Sequence, residues 1–304
     1  LIINQILTLF IIIILGYILK KKSYIGDKIE KGLSRLLIDI ILPSLIISSM
    51  IIELDAKLLN NIKLISIISV ASYLFLIFFA AVIVKFLSLD LKKKTVFKFM
   101  LVFANVGYMG YPVIDAIYPE LGIFYAVFNN IAFNFLMWTY GIHLFTKDAN
   151  EDNFQLKHLI NNGLIASFIG LVLIFTGYKP PEFITGALSS LGNMTFPLSM
   201  LIIGASLAKI KFKTIFQDFY LFLLGLLRLL ILPLLFLIIL KQFNLPEIIV
   251  NIPVILIAMP AAANSVILAE EYDGDTTFAS EGVFFTTLLS LFTIPLIIYL
   301  IKLI

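Results

Sequence analysis

Two short segments of this sequence each place an asparagine among residues that interrupt helices. Residues 103–112 read FANVGYMGYP, and residues 258–265 read AMPAAANS. Proline removes a backbone donor and crowds the preceding helical turn, whereas glycine lets the chain unwind. The N–H groups freed at such a break carry about half a positive charge, and asparagine amides add further donors. These segments therefore favour binding of an anion, although the asparagine carbonyls could instead hold a cation or a hydroxyl group.

The two segments also correspond in position along the chain. Shifting residues 105–112 by 154 places gives residues 259–266. Helix interruptions at corresponding places in two halves indicate the binding site of a transporter. The alternative is a pair of ordinary kinks, because glycine and proline are common in membrane helices. The candidate substrate-binding residues are Asn105, Gly107, Gly110, Pro112, Met259, Pro260, Ala263, Asn264 and Ser265.

Three charged residues inside apolar stretches are candidates for coupling transport to an ion. Arg228 lies near the middle of its apolar run. It could hold a substrate carboxylate, or pair structurally with Glu281, Asp115 or backbone carbonyls. Asp39 lies four residues before Pro43, on the same helix face, and could either exchange a proton or sit at the interface beside the basic first loop. For the third candidate, Glu281, the alternative is again a structural role.

No signature of an enzyme or of a cofactor site accompanies these residues. The chain has no cysteine and two histidines, and it contains neither a phosphate-binding loop nor a metalloprotease motif. We therefore predict that the protein is not an enzyme and binds no cofactor or metal. The net charge of +3 is spread over short loops and predicts no nucleic-acid partner. Asn129, Asn130 and Asn134 could line the pocket or form hydrogen bonds between helices.

The composition requires a lipid bilayer around most of the chain. Of the 304 residues 61% are hydrophobic and 13% are charged, and the mean hydropathy is +1.07. Soluble domains carry about 25% charged residues, and a soluble fold could not hide this much apolar surface. We predict an all-α integral membrane protein with ten spans at residues 2–20, 33–52, 62–87, 96–118, 121–145, 157–177, 184–208, 214–240, 248–271 and 276–303.

The distribution of Lys and Arg predicts the orientation of these spans. Odd-numbered loops carry sixteen such residues, whereas even-numbered loops and the C-terminus carry five. Because basic loops stay in the cytoplasm, both termini are expected on the extracytoplasmic side. The first apolar run precedes the lysines at positions 20–22 rather than following them, so we expect a retained helix and not a secretory signal.

The two halves of the chain resemble each other. Pro43 and Pro197, which predict helix kinks in spans two and seven, are 154 residues apart, as are Tyr118 and Tyr272. Because five spans per half is an odd number, the second half is expected to enter the membrane upside down, as an inverted repeat. The predicted domains are a first five-helix repeat, a cytoplasmic linker and a second five-helix repeat, at residues 1–145, 146–156 and 157–304.

At this point the sequence resembles the auxin efflux carrier family, which comprises the plant PIN proteins and their prokaryotic relatives. The resemblance covers the whole chain, without the long central cytoplasmic loop of the plant proteins. It implies a fold like that of bile acid:sodium symporters, with scaffold helices 1, 2, 6 and 7, mobile transport helices 3–5 and 8–10, and helices 4 and 9 crossing at their breaks. The residues that carry it are Asn105-x-Gly107-x-x-Gly110-x-Pro112, Pro260-x-x-x-Asn264, Leu42-Pro43 and Phe196-Pro197.

The resemblance also implies a function. The substrate carboxylate would lie beside Asn105 and Asn264, Arg228 could stand where relatives keep a coupling cation, and the protein would be a homodimer. Characterised prokaryotic relatives include carriers of malate and malonate. We therefore expect a secondary active transporter of a small organic anion, working by alternating access in the plasma membrane of a prokaryote, with a proton or sodium as a candidate coupling ion. An anion channel or uniporter, or less favourably a ligand-binding membrane receptor, stays open.

Overall fold

The computed structural model describes residues 2–146, 161–208 and 218–303. Within these residues every regular element is helical, and an isolated antiparallel bridge joins Ala104 to Ala261. The helices, numbered in chain order, are α1 (Ile2–Lys21), α2 (Asp27–Ser49), α3 (Ala56–Lys85), α4 (Leu91–Val102), α5 (Tyr111–Ile117), α6 (Gly122–Leu136), α7 (Asn162–Thr176), α8 (Glu182–Leu207), α9 (Phe219–Leu240), α10 (Glu247–Ile257), α11 (Asn264–Glu271) and α12 (Thr276–Leu303). Beyond Leu136, α6 continues through a π-helical turn, Met137–Gly141, into a last helical turn, Ile142–Thr146.

Several of these helices are long and apolar enough to cross a bilayer. Among the described residues α2, α3, α8, α9 and α12 meet both criteria, with mean hydropathies from 1.3 to 2.9. Helices α7 and α10 are apolar but shorter. The described chain is thus all-helical and of the integral membrane class, as the composition predicted.

The observed helix ends differ from the predicted ones mainly at the start of α2 and α3. Helix α2 begins at Asp27 rather than at residue 33, because Gly26 is extended and the carboxylates of Asp27 and Glu30 favour the first helical turn. Helix α3 begins at Ala56 rather than at residue 62. Apart from Thr146, the predicted linker at residues 146–156 lies outside the described residues, as does the start of the sixth predicted span.

Three prolines follow a widened helical turn at the same spacing. A proline ring presses on the carbonyl four residues back and removes a donor, so the preceding turn loosens. The kink predicted at Pro197 lies near a different irregularity, a turn at Asn193 and Met194 that interrupts the regular helix inside α8. The three prolines with their π-helical turns are Pro43 after Leu37–Ile41, Pro112 after Val106–Gly110 and Pro233 after Leu227–Ile231.

The chain forms two compact units, the first comprising residues 1–65, 107–131 and 159–210. Its closest helix contact is between α1 and α8. A Cβ atom added at Gly204 would fall on the carbonyl of Ile13, and one added at Gly16 would fall on the carbonyl of Leu201. The absence of side chains at these two glycines lets the backbones touch, which is how membrane helices gain packing without a hydrophobic driving force.

The second unit comprises residues 66–106, 132–158 and 211–304. Helices α9 and α12 pack closely here, since a Cβ atom on Gly225 would lie 2.7 Å from the Leu289 side chain. Aromatic rings pack against each other at the end of α4, with the centroids of Phe99 and Phe103 4.7 Å apart and their planes tilted by 40°. This unit contains both the end of α4 and the end of α10, where the helices are interrupted.

Candidate functional site

The two helix interruptions lie side by side in the second unit. Helix α4 ends at Val102, and Phe103 turns to extended backbone with ψ 122°. The Asn105 N–H donates to the Pro260 carbonyl at 2.8 Å, and the Ala262 N–H donates to the Phe103 carbonyl at 3.0 Å. Residues 103–105 and 260–262 therefore run antiparallel as a short two-stranded pair, which we call the paired breaks.

Pairing solves a physical problem that each interruption creates. Backbone groups released from a helix within a bilayer need partners, because an unsatisfied group there costs several kcal/mol. The Ala261 N–H points away from the opposite strand and donates to the Thr286 hydroxyl at 3.1 Å. Thr286 is fully buried in α12, and its hydroxyl in turn donates to the Gly282 carbonyl at 2.7 Å. Helix α12 thus supports the paired breaks from one side.

Arg228 lies at the carbonyl ends of the interrupted helices. Its side chain is fully buried, and Nη1 donates to the carbonyls of Leu101 at 2.6 Å and Val102 at 3.4 Å. Nε donates to the carbonyl of Met259 at 3.2 Å. Nη2 has no hydrogen-bond partner among the described residues. Of the arrangements open from the sequence, the structure shows the pairing with backbone carbonyls, and no described carboxylate forms an ion pair with Arg228.

The local sequence explains how Arg228 reaches these carbonyls. It occupies the π-helical turn Leu227–Ile231, which Pro233 follows. A π-helical turn inserts one extra residue and so rotates the following side chains around the helix axis. Burying a lone charge is costly unless it is fully hydrogen-bonded, so an arginine here requires the carbonyls that the breaks expose.

The predicted ligands of the second segment surround the paired breaks. Met259 and Pro260 are buried, and the Ser265 hydroxyl is also buried and donates to the Ala262 carbonyl at 2.6 Å. Asn264 is the first residue of α11 and is half-buried, with Nδ2 3.3 Å from the sulfur of Met137. Ala263, which precedes α11, is half-buried as well.

The predicted ligands of the first segment divide between the two units. Asn105 is half-buried and belongs to the second unit, where its backbone joins the paired breaks. Gly107, Gly110 and Pro112 belong to the first unit. A Cβ atom on Gly107 would meet only the Leu42 side chain at 3.6 Å, so space alone does not require glycine there.

The other two charged candidates have ordinary polar surroundings. Asp39 lies in the π-helical turn of α2, with its side chain 40% exposed. It accepts hydrogen bonds from Arg35 at 3.3 Å and from Asn162 at 2.9 Å. A role of Asp39 in ion coupling stays a prediction. Glu281 is half-buried near the start of α12, within electrostatic range of the ion pair of Lys93 with Asp218 at 2.7 Å.

The three asparagines of α6 are all buried. Asn129 and Asn130 belong to the first unit and Asn134 to the second, and each has an interaction partner. In the first unit Asn61 of α3 donates to the Tyr125 hydroxyl at 2.9 Å, and both residues are buried. Hydrogen bonds between helices are thus a recurrent feature of this chain.

A buried ion pair in the first unit was not found from the sequence. Glu30 is 7% exposed and accepts hydrogen bonds from Lys20 at 2.7 Å and from Ser206 at 2.9 Å. Lys20 also binds the exposed Asp27 at 2.7 Å. Glu30 lies among charged neighbours in the sequence and therefore looked like a loop residue. The strong amphipathic pattern of residues 27–36 is the signal that could have revealed a helix with one buried face.

The first unit also contains an open cavity of about 1040 Å³ where α2 and α7 end and α8 begins. Glu53 and Lys179 both line it and form an exposed ion pair at 2.5 Å. The hydrogen bond from Lys179 lowers the pKa of the Glu53 carboxyl. No group of three or more His, Cys, Asp or Glu side chains that could hold a metal ion occurs among the described residues.

Comparison with known proteins identifies the family of the chain. The family described as "Membrane transport protein" matches residues 1–298. The chain therefore belongs to this family, the auxin efflux carrier family, and the resemblance inferred from its motifs is confirmed. It is a multi-pass membrane transport protein rather than an enzyme.

Two archaeal proteins are similar over nearly the full length. An uncharacterized transporter of Methanothermobacter thermautotrophicus is 27% identical over 299 residues, covering 96% of each chain. An uncharacterized transporter of Methanocaldococcus jannaschii is 24% identical over 300 residues, again covering 96% of each chain. Both similarities extend across the paired breaks and the helices around them.

Proposed function

We propose that the protein is a secondary active transporter of a small organic anion, with a carboxylate as the recognised group, and that it works by alternating access. The paired breaks carry this proposal, because two interrupted helices meeting beside Asn105 and Asn264 form the kind of site that binds anionic substrates in secondary transporters. Malate, malonate or an auxin-like acid has the required chemistry. The chain's membership of a transport family supports the same conclusion.

The proposed recognition uses backbone dipoles and amide donors together. Helix α11 begins at Asn264, so its first N–H groups and their partial positive charge lie next to that side chain. Asn105 supplies a second amide within the paired breaks. The other predicted contributors follow Asn105 in the sequence or flank Asn264, and they are Gly107, Gly110 and Pro112, and Met259, Pro260, Ala263 and Ser265.

We further propose that ten spans form a five-plus-five inverted repeat like that of bile acid:sodium symporters. The helix boundaries support this. Shifting α5 by 154 residues places it at 265–271, against 264–271 for α11, and shifting the end of α4 gives residue 256, against the end of α10 at 257. The same proposal places both termini outside the plasma membrane and assembles the protein as a homodimer.

Uptake into proteoliposomes tests the transport proposal. We expect radiolabelled malate or malonate to accumulate inside vesicles that contain the purified protein, and not in empty vesicles. Steady single-channel currents carried by the same anion would show a channel instead. Binding without uptake under any gradient of protons, sodium or potential would indicate a receptor.

Two variants test the proposed site. Asn105→Ala and Asn264→Ala each remove a donor to a charged group, which corresponds to about a ten- to hundredfold loss in apparent affinity. Asn60→Ala, on the exposed surface of α3, is the matched control and should leave uptake unchanged. If uptake by both site variants equals that of the control, the substrate binds elsewhere.

A further inference from the structure

Three backbone carbonyls converge on one buried positive charge in this protein. The carbonyls of Leu101 and Val102 are the last two of α4, and Met259 lies just beyond the end of α10. All three residues are fully buried. The Arg228 guanidinium donates to each of them.

The electrostatics of these helix ends require a cation. Each helix C-terminus carries about half a negative charge, and the last carbonyls have no partner within their own helix. Two such ends together offer about one negative charge in a setting shielded from water. A guanidinium matches that charge, because an arginine side chain keeps its positive charge in proteins.

Free alkali cations are held by the same kind of ligand. In secondary transporters, unwound backbone carbonyls and the C-terminal ends of broken helices coordinate sodium. Here a side chain of the protein occupies such a carbonyl cluster, and Arg228 comes from α9, which belongs to neither interrupted segment.

We propose that Arg228 is a tethered cation that occupies an alkali-metal site formed by the carbonyls of Leu101, Val102 and Met259. The wild-type protein then needs no sodium or potassium at the paired breaks. Removing the guanidinium exposes a carbonyl cluster that binds sodium or potassium instead. Cation binding by this carbonyl cluster does not depend on the substrate. Its consequence for ion coupling rests on the proposed transport function.

Thermal unfolding of purified protein in sodium, potassium and choline chloride at equal ionic strength tests the proposal. The wild-type Tm should be the same in all three salts. Arg228→Ala should have a lower Tm in choline, and saturating sodium or potassium should raise it by about 4 °C. Millimolar guanidinium should also raise the Tm of Arg228→Ala, and Arg228→Lys should behave like the wild type because its ammonium can enter the same cluster.

The control is the only other arginine in the sequence. Arg35 is exposed on α2, so Arg35→Ala should show no dependence on the cation. A variant with lower stability but the same Tm in all three salts would show that Arg228 has a packing role only, and would overturn the proposal. A sodium- or potassium-dependent Tm in the wild type would also overturn the proposal. This measurement remains possible if Arg228→Ala does not fold. Failure of anion uptake alone would overturn the transport proposal and leave this one standing.

Discussion

Thr286 and Arg228 provide hydrogen-bond partners for the two kinds of backbone group that the helix interruptions release. The threonine hydroxyl accepts from a released N–H group, and the guanidinium donates to released carbonyls. Both side chains are fully buried, so neither can be replaced by water without cost. At the residue scale, the paired breaks depend on these two side chains as well as on their own proline, Pro260.

Replacing Thr286 with valine should destabilise the protein through the Ala261 N–H. Valine keeps the shape but removes the acceptor, leaving a buried donor unsatisfied at a cost of about 1–3 kcal/mol. A thermal melt of Thr286→Val should therefore show a Tm several degrees below that of the wild type. Thr287→Val is the control, because among the described residues the Thr287 hydroxyl bonds only to the Val283 carbonyl of its own helix. Equal melting of the two variants would show that the bond to Ala261 contributes nothing.

Replacing Glu30 with glutamine should weaken the first unit. Glu30 and Lys20 are 9% and 12% exposed at the side chain, so their ion pair is desolvated, and its loss should cost about 1–3 kcal/mol because Lys20 keeps Asp27 as a partner. Asp27→Asn breaks the other bond to Lys20 at a side chain that is 82% exposed, and should change stability little. The free energy of unfolding in denaturant should separate the two variants; similar values would mean that burial of Glu30 has no energetic consequence.

The sequence predicted the breaks better than it predicted their partners. Asn105, Gly107, Pro112 and Pro260 reveal a helix interruption because their effects on the backbone are local. The carbonyl partners of Arg228 depend on how α4, α9 and α10 pack, and no local pattern contains that information. From the sequence alone, the partner of Arg228 could therefore be either a carboxylate or a set of backbone carbonyls.

At the scale of elements, α1 and α8 show how glycine position determines helix packing. Two glycines, one on each helix, allow backbone contact at Ile13 and Leu201. Elsewhere on α8, the position that a Cβ on Gly186 would take has no atom within 4 Å beyond the adjoining backbone of its own helix. The same residue type therefore has opposite structural consequences within one helix.

Alanine substitutions in α8 should change stability in opposite directions. Gly204→Ala forces a methyl group onto the Ile13 carbonyl, so the helices must separate, at a cost of about 1–3 kcal/mol. Gly186→Ala should stabilise the helix by up to about 1 kcal/mol, since alanine loses less backbone entropy there. Thermal melts of the two variants compare them directly, and a stable Gly204→Ala would contradict the close α1–α8 contact.

The helix boundaries were easier to predict than the burial of the charged side chains near them. Long apolar runs defined α9 and α12 to within a few residues of their observed ends. The start of α2 was missed because its first ten residues are mostly polar, and the rule for spanning segments looks for continuous apolar stretches. Glu30 is buried, and it lies on the face of this polar segment that packs inward.

At the scale of the whole molecule, the distribution of basic residues determines the expected orientation. Because the chain has no cysteine, a single introduced cysteine reports on one loop at a time. Lys22→Cys lies in a predicted cytoplasmic loop and Gln242→Cys in a predicted external one, and both residues are exposed.

Labelling intact cells with a membrane-impermeant maleimide should modify Gln242→Cys and not Lys22→Cys. Both variants should react after the membrane is permeabilised, which controls for accessibility of the thiol. The physical reason is that Lys- and Arg-rich loops are retained on the cytoplasmic side during insertion. The reverse labelling pattern would invert the predicted topology and place both termini in the cytoplasm.

Pro260 excludes one alternative alignment of the paired breaks. A two-residue slip is the smallest that returns every side chain to its own face. In one direction such a slip would put the proline nitrogen where Ala262 now donates to Phe103, and that nitrogen has no hydrogen to give. Pro260 therefore interrupts the helix and also opposes a shift of register in that direction, because the shift would leave the buried Phe103 carbonyl without its hydrogen bond.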